Sequence, residues 1–290
     1  QCRAERDGDE WVVNGQKVWT SGGQWADYGI LVARTDPDQP KHRGLTYFAF
    51  PMLQPGVEVR PLREMTGRAM FNEVFLSDAR VPDADMIGDY NDGWRVANTT
   101  LMVERAGIGG ANAAAPSAAI AGTVAGHLDR PAGSFTKEAG GTTAGAVGRG
   151  RVRWLTELAR ERGRVDDPVI RDGLARLHSL VEITTWHMGR MKSGSAATGG
   201  EGNLAKIRNS EMLALARELG CTILGPGATL AGPDAPTGGE LQELVVFSPA
   251  PSIYGGTDQV QRNIIGERVL GLPKEPGPSR DTPFRDLLKN

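Results

Sequence analysis

Residues 72–82 read Asn72-Glu73-Val74-Phe75-Leu76-Ser77-Asp78-Ala79-Arg80-Val81-Pro82, and soon after come Asp92-Gly93-Trp94-Arg95-Val96-Ala97-Asn98-Thr99-Thr100-Leu101. The first stretch is the last of several short strand-like segments. The second opens an apolar stripe at helical spacing, Trp94, Ala97, Leu101 and Ile108, with Asp92 placed to cap it. The period changes at Val81-Pro82. That change predicts an α+β chain: a β domain over 1–82 and a helical domain over 83–290.

Working back from Pro82, Val57-Glu58-Val59, Gly44–Phe50 and Gly29–Thr35 read as further strands, parted by Pro, Gly and Asp. Glu10-Trp11-Val12-Val13 and Gln16-Lys17-Val18-Trp19-Thr20-Ser21 flank Asn14-Gly15, which has the composition of a two-residue hairpin turn. Short strands at such spacings suggest a small antiparallel barrel or sandwich. Cys2 and Arg3 run directly into this pattern without an initiator methionine, as in a fragment entered inside a domain.

Working forward, Asp167-Pro168 is a second helix start, an N-cap followed by proline. Val169, Leu174, Leu177, Val181 and Trp186 keep helical spacing to about Met191. Further helices are expected from Gly202 to Leu219 and from about Asp258 to Leu270, which with the first makes a four-helix bundle. Gly109–Gly150, rich in Gly, Ala, Ser and Thr, and Gly225–Gly239 read as irregular.

Bulk composition excludes more than it selects. A net charge of -2 gives no case for nucleic acid or an anionic membrane. No apolar run is long and pure enough to span a bilayer, and no signal peptide is visible, so a cytoplasmic protein is expected. Two cysteines support neither a disulfide scaffold nor a thiolate metal site. His42, His127, His178 and His187 lack metal-ligand spacing, so no metal is expected.

The distinctive segment is Tyr254-Gly255-Gly256-Thr257-Asp258-Gln259-Val260-Gln261-Arg262, continuing to Arg268-Val269-Leu270-Gly271-Leu272-Pro273. Two glycines before a Thr at a helix start let backbone approach a ligand and leave amides for an anionic group. They serve equally as a plain turn with a Thr N-cap. Asp258 is expected to be exposed, in a cap or dipole role.

This run resembles the last helix of the acyl-CoA dehydrogenases, with their Tyr-Glu-Gly-Thr-x-Gln motif. Trp19-Thr20-Ser21 resembles the family's flavin-contacting Trp-x-Ser/Thr, and Ala159-Arg160-Glu161-Arg162 its Ala-Arg-Glu-Arg segment. The likeness covers essentially the whole chain in order. It implies an FAD enzyme that oxidises an acyl-CoA to the trans-2-enoyl-CoA and passes electrons to an electron-transferring flavoprotein from a homo- or hetero-oligomer. It also implies cofactor contacts at Trp19, Ser21, Arg162, Thr257 and Gln259, and substrate contacts at Arg105 and Gly256.

The reaction needs a base at the substrate α-carbon, and a carboxylate serves when a dry pocket raises its basicity. The family's usual Glu falls at Gly255, which has no side chain; its N–H can still donate to the thioester carbonyl. Members resembling isovaleryl-CoA and long-chain dehydrogenases carry the base in a Glu-Arg pair on an earlier helix. Here that pair is Glu104-Arg105, with Glu104 seven residues after Ala97 and three after Leu101, at the edge of the apolar stripe. Glu104 is therefore the expected base.

Several features depart from the pattern. The family's N-terminal helical domain is absent from this sequence, its Gln-x-x-Gly-Gly loop reads Thr222-Ile223-Leu224-Gly225-Pro226, and Val165-Asp166 replaces a Phe-Gly. Gly140–Gly150 stands where continuous helix is usual. The last two patterns resemble the actinobacterial-type members, some of which work as paired subunits on steroid side-chain thioesters. Two other readings keep the fold: an acyl-CoA oxidase or flavin monooxygenase, and a non-catalytic partner subunit.

Overall fold

The computed structural model of the chain describes residues 2–108, 147–194, 198–230, 235–274 and 276–287, the side chains of 102–108 aside. The chain divides into two compact units, residues 1–104 with 275–290 and residues 105–274.

The first unit holds a six-stranded sheet. Its strands are β1 (Arg3–Asp7), β2 (Glu10–Ser21), β3 (Tyr28–Arg34), β4 (Leu45–Pro51), β5 (Val57–Leu62) and β6 (Phe71–Pro82), in the order β4-β3-β1-β2-β6-β5. The expected barrel is not formed: β4 and β5 remain edges, and β1 meets β3 through one parallel pair, Arg3 with Arg34. Pro61 sits in β5, an edge strand, where a missing N–H leaves no central ladder bond unmade. One face gathers Trp11, Val13, Leu31, Phe48, Phe50, Val74, Leu76 and Val81 into a buried core.

Asn14-Gly15 is not the hairpin turn. β2 runs straight through it, and the reversal lies one turn earlier, at Gly8-Asp9, where Gly8 takes φ +67°. Asn14 is instead part of a bulge. Val13 pairs with Ala79 and Gly15 with Leu76, so Asn14 faces both Ser77 and Asp78. Asn14 Nδ2 donates to Asp78 Oδ1 at 2.9 Å, and the Asp78 N–H donates to Asn14 Oδ1 at 3.0 Å. Asp78 takes φ +51° there. The Asn-Gly signal marked a kink in pairing, which uses the same backbone freedom as a turn.

Helix α1 (Gly93–Ile108) begins where expected. The Asp92 carboxylate pairs with Arg95 Nε at 2.5 Å. Ala97 is buried, whereas Trp94 and Leu101 stay partly exposed.

The second unit is helical: α2 (Arg149–Glu161), α3 (Pro168–Lys192), α4 (Glu201–Leu224), α5 (Glu240–Phe247) and α6 (Asp258–Ile264), which widens into a π-turn over Ile265–Val269. The α3 start is as read: Asp167 Oδ1 accepts from the Val169 N–H at 3.0 Å, with Pro168 at the first position. The helices that share a core are not the four anticipated. Leu155 and Leu158 of α2, Leu177 and Val181 of α3, Leu213 and Leu219 of α4, and Leu241 and Leu244 of α5 form one cluster. Each such side chain contributes about 1.5–3 kcal/mol on burial. Two helices of that core, α2 and α5, lay in or beside stretches expected to be irregular. Of the α3 stripe, Val169 and Trp186 are exposed, and Ile170 takes the place of the first. The Gly-rich stretch lies outside the described residues up to 146, and Arg149-Gly150 already form the first turn of α2.

Candidate functional site

Trp19 stands on a second bulge. Lys17 pairs with Val74 and Thr20 with Asn72, so Val18 and Trp19 together face Glu73. The extra residue is accommodated by turning Trp19 to φ +63°. For a bulky side chain that conformation is an outlier costing about 1–3 kcal/mol, and such outliers gather at working sites. The indole is 65% exposed and touches Phe71 edge-on, with ring centroids 6.0 Å apart. Ser21, the last residue of β2, is exposed, and its hydroxyl has no partner among the described residues. An uncovered indole with a free hydroxyl two residues on suits a planar heteroaromatic ring bearing polar edges.

The Tyr254–Gln259 segment is the second group. Gly255 and Gly256 take φ +62° and +84°, which glycine alone adopts without penalty. A Cβ at Gly255 would meet nothing within 4 Å, whereas one at Gly256 would lie 2.6 Å from Gln261 Nε2. The first glycine borders open space and the second is demanded by its neighbour. Thr257 is the N-cap of α6, its Oγ1 accepting from the Val260 N–H at 3.2 Å. Gln259 is exposed, with a free carboxamide among the described residues. Burial raises the Tyr254 phenol above its ordinary pKa, so it stays protonated.

Four residues behind this turn carry its geometry. Gln261 Nε2 donates to the Gly255 carbonyl at 2.8 Å and the Gly256 carbonyl at 3.3 Å. Its Oε1 accepts from Asn203 Nδ2 of α4 at 2.5 Å. Lys206 Nζ pairs with Asp258 Oδ1 at 2.6 Å, and Ser210 Oγ donates to that same oxygen at 3.0 Å. Asp258 is therefore not the exposed capping residue expected from its place in the motif; it is a half-buried ion-pair partner. The only sequence sign of Gln261 was a second Gln two residues after Gln259.

The remaining candidates are placed separately. Glu104 and Arg105 lie on α1, and their side chains fall outside the described residues. Arg162 is the C-cap of α2, exposed and without a side-chain partner among the described residues.

Two open hollows lie in the first unit, and none of these residues lines either. One, of about 530 Å³, is floored by His42 and Trp94, whose rings stack at 4.4 Å. The other, of about 480 Å³, lies between Gln24, Trp25, Met52 and Leu53, just past Ser21. Among the described residues no His, Cys, Asp and Glu group could hold a metal, and no helix is long and apolar enough to cross a membrane.

Comparison with known proteins agrees on both units. Residues 1–79 match the family model of the acyl-CoA dehydrogenase middle domain, and residues 130–270 that of the acyl-CoA dehydrogenase C-terminal domain. Acyl-CoA dehydrogenase IpdE1 of Mycobacterium tuberculosis is 38% identical over 94% of this chain and 62% of its own length. Acyl-CoA dehydrogenase FadE34 of the same organism is 32% identical over 94% of this chain and 33% of its own length. Among solved structures, a Tcur3481-Tcur3483 steroid ACAD superposes with a TM-score of 0.74 at 26% identity, covering 95% of this chain and 64% of that one. The ChsE4-ChsE5 complex from Mycobacterium tuberculosis gives 0.71 at 29% identity, covering 95% and 65%. The chain thus spans less than two thirds of the relatives it matches.

Proposed function

The chain belongs to the acyl-CoA dehydrogenase family, and on that premise we propose that it dehydrogenates an acyl-CoA thioester between its α and β carbons. Members of the family are flavoproteins that use FAD. Each unit by itself offers residues that fit that group: in the first the uncovered indole of Trp19 and the free hydroxyl of Ser21, in the second Thr257 and Gln259 at the last helix. When bound, FAD would supply the acceptor for the hydride that leaves the β-carbon with its electron pair.

The chain's own residues do the rest. Glu104 takes the α-proton, so that the α C–H electrons form the new double bond as the β-hydride departs. The Gly255 N–H donates to the thioester carbonyl and stabilises the negative charge that gathers on its oxygen as the proton leaves. Arg105 and Gly256 contact the substrate, and Arg162 a cofactor phosphate in an oligomer. Electrons pass on to an electron-transferring flavoprotein.

The observation that carries this reading is the turn itself. Gly255 and Gly256 leave both N–H groups without acceptors among the described residues, at a position where the family's usual carboxylate has no side chain. The chemistry then needs a carboxylate from elsewhere, and the Glu104-Arg105 pair supplies one. Glu104→Gln in the flavin-loaded enzyme is expected to keep its flavin and lose bleaching of the flavin absorbance by acyl-CoA. Bleaching at the parent rate would remove Glu104 from the mechanism.

A second reading concerns the assembly. The two superposed structures are paired chains by their titles, and the family's Gln loop is replaced here by Thr222–Pro226. This chain would then act as one subunit of a heteromeric enzyme on a bulky acyl group such as a steroid side chain. Co-purification with a different dehydrogenase chain, and turnover only by the pair, tests it.

A further inference from the structure

We infer that Gln261 is a positioning residue for the substrate carbonyl: its carboxamide sets the direction of the amide donors in the Gly255–Gly256 turn. The inference rests on the proposed role of the Gly255 N–H and adds the group that holds the peptide plane directly after it, whose own donor is the Gly256 N–H.

The argument begins with the peptide plane. In a trans peptide the C=O and the following N–H point in opposite directions. Gln261 holds the Gly255 carbonyl at 2.8 Å and the Gly256 carbonyl at 3.3 Å. The N–H groups of Gly256 and Thr257 must therefore point away from Gln261, out of the protein. Holding the plane after Gly255 also removes one of that residue's two free dihedrals. One residue earlier, the Tyr254 N–H donates to the Ala250 carbonyl at 3.0 Å and holds the peptide plane between Ile253 and Tyr254. Two adjacent glycines in the left-handed region would otherwise be the most mobile donors available.

The clamp can act in one orientation only. Both turn carbonyls are acceptors, so the end of Gln261 that faces them must be the NH₂. Its oxygen is occupied by Asn203 Nδ2 at 2.5 Å, which holds the carboxamide from behind. Gln261 is 4% exposed, so water does not compete for these bonds. Gly256 is tied to the same device, since a Cβ there would come within 2.6 Å of Gln261 Nε2. A turn needing only a tight reversal would not require a buried carboxamide with both ends engaged.

The test reads the carbonyl directly. A 3-thiaacyl-CoA, which binds but is not oxidised, is labelled with ¹³C at the thioester carbon, and its C=O stretch is recorded on the flavin-loaded enzyme. In the parent the band should move to lower frequency on binding. In Gln261→Met, which keeps length but has no N–H, it should return at least halfway to its position in water. kcat should fall about tenfold or more, with KM changing much less, as for a donor needed chiefly in the transition state. Asn203→Ala, a gentler change behind the clamp, should move the band the same way by less, and carries the test if Gln261→Met folds poorly. An unshifted band in the parent, or a parent-like band in both variants, overturns the inference. Glu104→Gln should keep the low-frequency band while losing flavin bleaching, so failure of the base assignment and failure of the clamp give different results.

Discussion

Lys206 Nζ lies 2.6 Å from Asp258 Oδ1, and the two side chains are only 16% and 17% exposed. The pair joins the second turn of α4 to the first residue of α6, with Ser210 donating to the same carboxylate oxygen. Removing one partner leaves the other charge buried without compensation. Lys206→Met is accordingly expected to cost about 3 kcal/mol, the low end for such pairs because some water still reaches them. Chemical denaturation measures that loss. Hydrogen exchange should show the turn before α6 opening faster in the variant.

Trp19 offers a separation of stability from cofactor retention. Its φ of +63° costs energy in a residue that gains little from packing, since the indole is mostly exposed. Trp19→Gly relieves roughly 1 kcal/mol of backbone strain and gives up a comparable edge contact with Phe71. The melting temperature should therefore change little. Flavin content after gel filtration should drop clearly. A large fall in stability with flavin retained would show that the bulge serves the sheet and not the cofactor.

Gly255 is the place to return the missing carboxylate. The space beside it is empty to 4 Å, and a side chain at φ +62° carries a backbone penalty of about 1–2 kcal/mol. Gly255→Glu in a Glu104→Gln background should thus fold and recover part of the flavin bleaching that Glu104→Gln abolishes. Rapid-mixing absorbance with acyl-CoA reads the rate. No recovery in a folded, flavin-loaded double variant would argue against the turn lying within reach of the α-carbon.

Glu201 opens α4 and accepts from the Thr198 hydroxyl at 2.7 Å and the Thr198 N–H at 2.6 Å, which ties the chain before the helix to its first residue. Those bonds, the hydroxyl first, lower its pKa from the ordinary 4.5 to about 2. A depressed folded-state pKa contributes stability that is complete above pH 4.5 and fades as pH falls toward 2. Glu201→Gln should melt below the parent at pH 7, and the gap should narrow through that acid window. A gap that stays constant with pH would mean the carboxylate charge plays no part in the contact with Thr198.

How much of this was legible in the sequence depended on how local each signal was. Asp167-Pro168 gave the α3 start correctly because a cap and a proline act on their own turn. Asn14-Gly15 misled because the backbone freedom that makes a hairpin also makes a bulge, and only the pairing of β2 with β6 decides between them. The final motif located the glycine turn through resemblance. It could not reveal Gln261 with Asn203, or Asp258 with Lys206, because those contacts join residues 58 and 52 positions apart. The short α5 was missed for a related reason: eight residues hold barely two turns, too few for a periodic stripe to stand out.

That short helix supplies the last prediction. Leu241 of α5 is wholly buried, and a Cβ built on Gly220 of α4 would lie 2.2 Å from its Cδ1 and 3.3 Å from its Cγ. On helix propensity alone, Gly220→Ala should stabilise α4 by about 1 kcal/mol. Here the packed core opposes it: Leu241 is wholly buried and must shift to admit the methyl, and overpacking of this kind costs about 1–3 kcal/mol. The net effect should be destabilising despite the better helix former. Leu241→Ala alone should cost about 2–5 kcal/mol through the cavity it leaves. Combined, the two changes should be less harmful than their sum, because the new methyl enters the space the leucine vacated. Denaturant melts of the four proteins close that cycle, and strict additivity would mean that α5 does not pack on α4 through these two residues.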